Sequence, residues 1–194
     1  MKLRRKLDIT VLDHLCHVPL IPLCQEELSR RDYGGALLTL EKADRLDGFQ
    51  ALSPYLTDRQ YWRLLADIWT GTEFPSFRMD QWLRQFRSRR PGRKFLMKAA
   101  EQRFLARLPE VVRIYRVSTE ETVGGMSWTV DKDVATFFKG YYAIRGLLCQ
   151  VWTAEIDKRY IFAFLDDRHE SEVVVDARHL LNIKLGKYSE ADAA

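Results

Sequence analysis

The hydrophobic pattern changes period at Pro109, and this switch restricts the chain to folds that join a helical part to a sheet. Before it, apolar residues recur at helical spacing. Ala36, Leu37, Leu38, Leu40, Ala43 and Leu46 form one run, with Gly48 standing where a helix would stop. Thr57 and Asp58 offer a cap to the next, whose apolar face is Tyr61, Leu64, Leu65, Ile68 and Trp69, before Gly71. Met79, Trp82, Leu83 and Phe86 mark a third helix closed by Pro91-Gly92, and 95–108 is a fourth, stopped by Pro109. Beyond Pro109, 111–117 reads as a strand of branched and aromatic residues. Gly124-Gly125 turns the chain into a second strand, 126–130. Asp131 or Asp133 then caps a short helix carrying Val134, Phe137 and Phe138. Further strands are expected at 147–156, 160–165, 172–176 and 181–185. The expected fold class is therefore α+β, with a helical N-terminal part (1–108) packed on a mostly antiparallel β-sandwich (109–188), and a frayed tail at 189–194.

Composition narrows the setting. Apolar residues make up 46% of the 194 and charged residues 30%, the balance of a water-facing globular chain. No apolar run approaches the length of a membrane span, and Asp8, Asp13 and His14 interrupt any signal-like core after the basic start, so a cytoplasmic protein without membrane contact is expected. Three cysteines with no framework spacing fit a reducing compartment. His14, Cys16, His17 and Cys24 are zinc-ligand types. Their spacing matches no finger, and Pro19 and Pro22 with Leu20, Ile21 and Leu23 read instead as a packed apolar turn, so no metal is expected. Cys149 reads as a core thiol. The stretch 84–98 holds Arg84, Arg87, Arg89, Arg90, Arg93, Lys94 and Lys98 without an acid. Such a stretch attracts polyanions, although a solvated helix face is the commoner meaning.

Chemistry concentrates in the second half. Strand alternation points Ser127 and Thr129 one way and Trp128 the other, a polar face above a core. Glu170 and Glu172 have the same spacing. If extended, they share a face about 7 Å apart at their backbones, and their mutual repulsion should raise one pKa. Arg116, in an otherwise apolar strand beside Tyr115, needs a carboxylate or an anionic ligand. Each element taken singly is ordinary: a half-exposed strand, a strand's solvent edge, a surface ion pair.

Their order is less ordinary. Ile114-Tyr115-Arg116, then Gly125-Met126-Ser127-Trp128-Thr129, then Glu170-Ser171-Glu172-Val173-Val174-Val175 resembles the three motifs of the arginine–serine–glutamate class of mono-ADP-ribosyltransferases, and the apolar helix after the second motif matches too. The resemblance covers residues 111–188. It implies an NAD-dependent transferase, with NAD as co-substrate, in which Arg116 pairs with the pyrophosphate or nicotinamide ribose. Ser127 would hold that ribose and orient the acid, with Thr129 in support and Tyr115 alongside. Glu172 would stabilise positive charge as the nicotinamide bond breaks, and Glu170 would face the acceptor. Phe137, Phe138, Tyr141 or Tyr142 could stack on nicotinamide or adenine, against core packing as the usual role of such rings. The implied acceptor is macromolecular, a protein side chain or RNA or DNA. A toxin-like or phage-like effector with an inhibitory antitoxin partner is the biological setting implied. An NAD glycohydrolase and a noncatalytic binding module are the alternatives.

Overall fold

Two residues explain where the 13-residue helix at the centre of the first half begins. Thr57 Oγ1 accepts from Gln60 N at 3.2 Å and the Gln60 side chain accepts from Thr57 N at 3.0 Å, a reciprocal capping box that opens α4 (Asp58–Thr70). A computed structural model describes residues 6–72 and 75–186, so the expected tail at 189–194 lies outside the described residues. The chain divides into two compact units: Met1–Pro75 with Asp80–Leu96, and Ser76–Met79 with Met97–Ala194.

The first unit is helical. Around α4 it carries α1 (Ile21–Ser29), α2 (Tyr33–Leu38), α3 (Arg45–Leu52) and α5 (Met79–Phe86). Its centre is aromatic, with the Trp69 ring edge-on to Trp82 at 5.1 Å and to Phe86 at 5.2 Å. Two local expectations change. The packed turn expected at Pro19–Leu23 is a 3-10 turn (Val18–Leu20) that runs into α1, with Leu20 and Leu23 exposed and Pro22 in the first turn of α1, where a missing N–H costs nothing. Gly48 does not end a helix. It sits inside α3, where a Cβ would lie 2.4 Å from Leu40 and 2.8 Å from Leu37, so it is the point of closest packing.

The second unit is the sheet with two helices. The expected helix at 95–108 is shorter, a 3-10 turn at Arg93–Leu96 followed by α6 (Ala99–Arg107). α6 groups with the sheet and not with the helices before it: its Phe104 ring stacks on Phe164 at 4.1 Å. The change of period at Pro109 thus falls later than the packing boundary at Leu96/Met97. The strands are β1 (Val111–Ser118), β2 (Ser127–Thr129), β3 (Gln150–Asp157), β4 (Ile161–Leu165), β5 (Glu172–Val175) and β6 (Leu181–Leu185), with α7 (Lys132–Ile144) between β2 and β3. The Asp131 carboxylate accepts from Asp133 N and Val134 N to start α7, which runs 13 residues, longer than expected.

The strands form one six-stranded sheet in the order β4-β5-β2-β1-β3-β6, every pairing antiparallel, in place of the two facing sheets of a sandwich. Val112, Ile114, Trp128, Ala154, Phe164, Val173 and Val175 line its core face, and Met97, Leu105 and Leu108 pack against them. That face explains why β2 holds its register. Trp128 is 2% exposed, and its Nε1 donates to Gly125 O at 2.8 Å, so a one-residue slip would take the indole out of the core and put two hydroxyls there.

Candidate active site

The short β2 lies between β1 and β5, which brings residues far apart in sequence onto neighbouring strands. Glu172 stands directly across from Thr129, and Val174 across from Ser127, so Glu172 and Ser127 are diagonal neighbours on one face. Ser127 Oγ donates to Glu172 Oε1 at 2.6 Å. Glu172 is only 6% exposed, and a carboxylate held that deep needs such donors.

Arg116 reaches the same place from β1. It continues the alternation of Val112 and Ile114, so its stem leaves the core row and its guanidinium Nη1 donates to Ser127 O. Space for it comes from Gly125, where a Cβ would meet Nη2 at 2.4 Å and Cζ at 2.6 Å. Burial pulls the Arg116 pKa below its ordinary value, and Tyr142, Glu172 and Cys149 pull it back up. The planar fork of a guanidinium is suited to carboxylates and phosphates.

Glu170 is held differently. The extended segment assumed for Glu170 and Glu172 does not form. β5 begins at Glu172, while His169 (φ 57°) and Ser171 (φ 46°) both occupy the left-handed region. Glu170 therefore sits on a folded loop, pairing through Oε2 with Arg168 Nη2 at 2.7 Å. Its backbone is anchored by Thr129, whose Oγ1 donates to Glu170 O at 2.8 Å.

The aromatic residues divide. Tyr115 is half-buried on β1 across from Thr129. Phe137 is 66% exposed, with its ring near those of Phe138 and Tyr141. Phe138 is half-buried and packs on Tyr142 at 6.0 Å. Burial pushes the Tyr142 hydroxyl pKa up, Arg116 pulls it down, and Cys149, Glu170 and Tyr141 raise it further. Arg116 and Glu170 thus act on the Tyr142 hydroxyl in opposite directions. The position of Tyr142 one helical turn after Phe138 was the signal that could have singled it out. Cys149 is not the core thiol of an apolar strand: β3 starts at Gln150, and Cys149 is half-buried next to this cluster.

Cys16 and Cys24 are buried within the helical unit, and no group of three His, Cys, Asp or Glu among the described residues is placed to hold a metal ion. Within the basic stretch, Arg90 donates to Ser53 O and Leu56 O, pairs with Asp58 and lies over the Tyr61 ring at 4.6 Å. His179 stacks on Tyr160 at 3.6 Å. No helix among the described residues is long and apolar enough to cross a membrane. A groove of about 380 Å³ lies in the helical unit, lined by Lys6, Leu7, Ile9, Leu28, Ser29, Arg31, Tyr33 and Tyr55. Its lining includes the cations Lys6 and Arg31 but no acid, whereas an acid, a hydroxyl and a guanidinium meet around Glu172, the candidate site.

Comparison of this chain with protein-family models, with curated proteins and with solved structures finds no match.

Proposed function

We propose that this chain is an NAD-dependent ADP-ribosyltransferase of the arginine–serine–glutamate class, acting on a macromolecular acceptor. The observation that carries this is the hydrogen bond from Ser127 Oγ to Glu172 Oε1 at 2.6 Å, with the Arg116 guanidinium on the same short strand's backbone. Three motifs distant in sequence meet on three adjacent strands, β1, β2 and β5, as a shared site requires.

The residues suit a dinucleotide with a pyrophosphate and a positively charged leaving group. Gly125 leaves room for the Arg116 guanidinium, whose fork of donors matches phosphate oxygens. NAD would supply a ribose C1′ already bonded to a cationic nicotinamide, whose C–N electron pair departs with the ring as the acceptor's bond to C1′ forms. Glu172, oriented by Ser127, faces the positive charge that develops at the ribose and holds its hydroxyls. Glu170 accepts the proton that the acceptor nucleophile releases, or orients that nucleophile. Arg116 fixes the phosphates so that C1′ stays within reach of both acids. A toxin or effector restrained by an inhibitory protein is the setting we attach to this activity.

The test is incubation of wild-type and Glu172→Gln protein with labelled NAD and whole-cell extract, followed by separation of protein, RNA and DNA. Label entering one fraction with the wild type alone supports transfer and names the acceptor class. NAD consumed without label transfer replaces the proposal with a glycohydrolase. NAD intact with both proteins, and unbound, removes the enzyme altogether and leaves a binding module.

A further inference from the structure

We infer that Glu101 is a positioning residue for Glu170, fixing the 166–171 loop so that transfer to an acceptor prevails over hydrolysis. This rests on the transferase proposal above.

Glu101 is one of few buried acids, 6% exposed, and its two carboxylate oxygens point to different elements. Oε2 accepts from Lys98 N at 2.5 Å, closing the first turn of α6. Oε1 leaves the helix and accepts from Asp166 N at 3.0 Å, at the entrance to the loop. Capping alone asks for one oxygen at a wet helix end and gives no reason to bury the acid.

What Glu101 holds is a loop closed on itself. Asp166 O accepts from His169 N at 3.0 Å, and Asp166 Oδ1 accepts from Ser171 N at 2.9 Å, so fixing Asp166 fixes both neighbours of Glu170. Lys98 Nζ pairs with Asp167 beside it. From the β2 side, Thr129 Oγ1 donates to Glu170 O and Val130 N donates to Ser171 O at 3.1 Å. Glu170 is clamped between two non-glycine residues in left-handed conformation, which persists only where the surroundings over-determine it. Glu172 has holds of its own besides these, its ladder pairing in β5 and the hydrogen bond from Ser127. Loosening the loop frees Glu170 while Glu172 stays in place. Nicotinamide still leaves, and water takes the place of the acceptor.

Glu101→Gln turns a donor toward one of two N–H groups and so breaks one clamp without emptying the site. Asp166→Ala removes the Ser171 contact from within the loop and should give the same signature if Glu101→Gln folds poorly. With labelled NAD and whole-cell extract, the ratio of label in macromolecules to nicotinamide released should fall roughly ten- to a hundredfold. Nicotinamide release itself should stay within about twofold, because Glu172 keeps its partners. Amides of 166–171 should exchange faster with deuterium in the variant. A ratio that is unchanged, or that falls only in step with nicotinamide release, makes Glu101 a merely structural acid and overturns the inference. Unchanged loop exchange overturns it whatever the turnover. A wild type that releases no nicotinamide at all is the separate failure, that of the transferase proposal.

Discussion

In the helical unit the fully buried large side chains are Trp62, Trp82, Phe49, Phe86 and their aliphatic neighbours, while the five buried polar or charged residues described (Glu101, Ser118, Thr129, Glu172 and Asp176) all lie beyond Met97. Where the helical unit uses polarity, it does so at the margin of its core. Trp62 Nε1 donates to Pro91 O at 2.8 Å and Tyr61 Oη donates to Gln85 O at 3.0 Å, each satisfying the polar end of an otherwise apolar ring. The sheet unit instead draws carboxylates inside and surrounds them with donors. A core of well-packed apolar residues would be at least as stable, so the polar interior reflects a demand other than folding.

That contrast gives the largest expected effects, of opposite kind. Trp82→Ala empties an aromatic site in the helical unit and should cost about 3–5 kcal/mol of unfolding free energy. Glu172→Gln keeps the shape and still accepts from Ser127 but withdraws a negative charge from the buried Arg116, so chemical denaturation should find a loss smaller than that of the core truncation. Nicotinamide release should fall about a thousandfold for it, the scale of losing one transition-state charge partner. If Glu172→Gln destabilises as much as the core truncation does, the buried acid is structural and the contrast between the units collapses.

Two glycines sharpen the comparison at smaller scale. Gly48→Ala would drive a methyl into Leu37 and Leu40 between helices, and overpacking of this kind costs about 1–3 kcal/mol, less the helix propensity gained. Gly125→Ala meets a guanidinium instead, and a guanidinium can swing away. The movement gives up the bond to Ser127 O, and the cation leaves its place. The expected outcome is a KM for NAD raised about tenfold, with Tm nearly unaltered, the effect of removing binding shared by ground and transition states. A large drop in Tm with KM intact would make Gly125 a folding glycine like Gly48.

The sequence is legible where a local rule and the packing agree. The cap expected at Thr57, the alternation around Trp128 and the strand from Glu172 all satisfy both, and they form as expected, with Gln60 as the unforeseen second half of the cap. It misleads where one residue type serves two purposes. Gly48 has the mark of a helix end, but its lack of a side chain is used for contact. Pro22 looks like a breaker, yet opens α1. The single sheet was hidden because strand count says nothing about which edges pair. In the site, the residues named from motif order, Arg116, Ser127, Thr129 and Glu172, come together on adjacent strands. The loop conformation of Glu170 and the contribution of Glu101 were not readable. One depends on left-handed residues that are not glycine, the other on a contact between residues 65 positions apart.

The smallest expected effect compares one tyrosine from each unit, and it appears only in alkali. Burial is the main cause of a raised pKa at both Tyr61 and Tyr142, with Ser88 and then Arg90 pulling the first down and Arg116 the second. A raised pKa means that the folded state keeps its proton when the unfolded chain has lost it. Below about pH 10 both states are protonated and the full stability is present. As pH rises from there through the folded pKa, unfolding releases a proton and stability is lost, at most about 1.4 kcal/mol per pH unit for each tyrosine. Tyr61, 2% exposed, should come nearer that limit than the half-buried Tyr142, where solvent screens the effect. Denaturation from pH 8 to 11.5 should therefore show a flatter alkaline limb in Tyr61→Phe than in wild type, and a limb only slightly flattened in Tyr142→Phe. At neutral pH the order of damage should follow the hydrogen bonds. Tyr61→Phe loses its bond to Gln85 and about 1 kcal/mol, whereas Tyr142→Phe should leave stability alone and alter activity instead. A neutral-pH stability loss at Tyr142 equal to that at Tyr61 would mean that the sheet unit uses its tyrosine as the helical unit does, for packing, and would remove Tyr142 from the site.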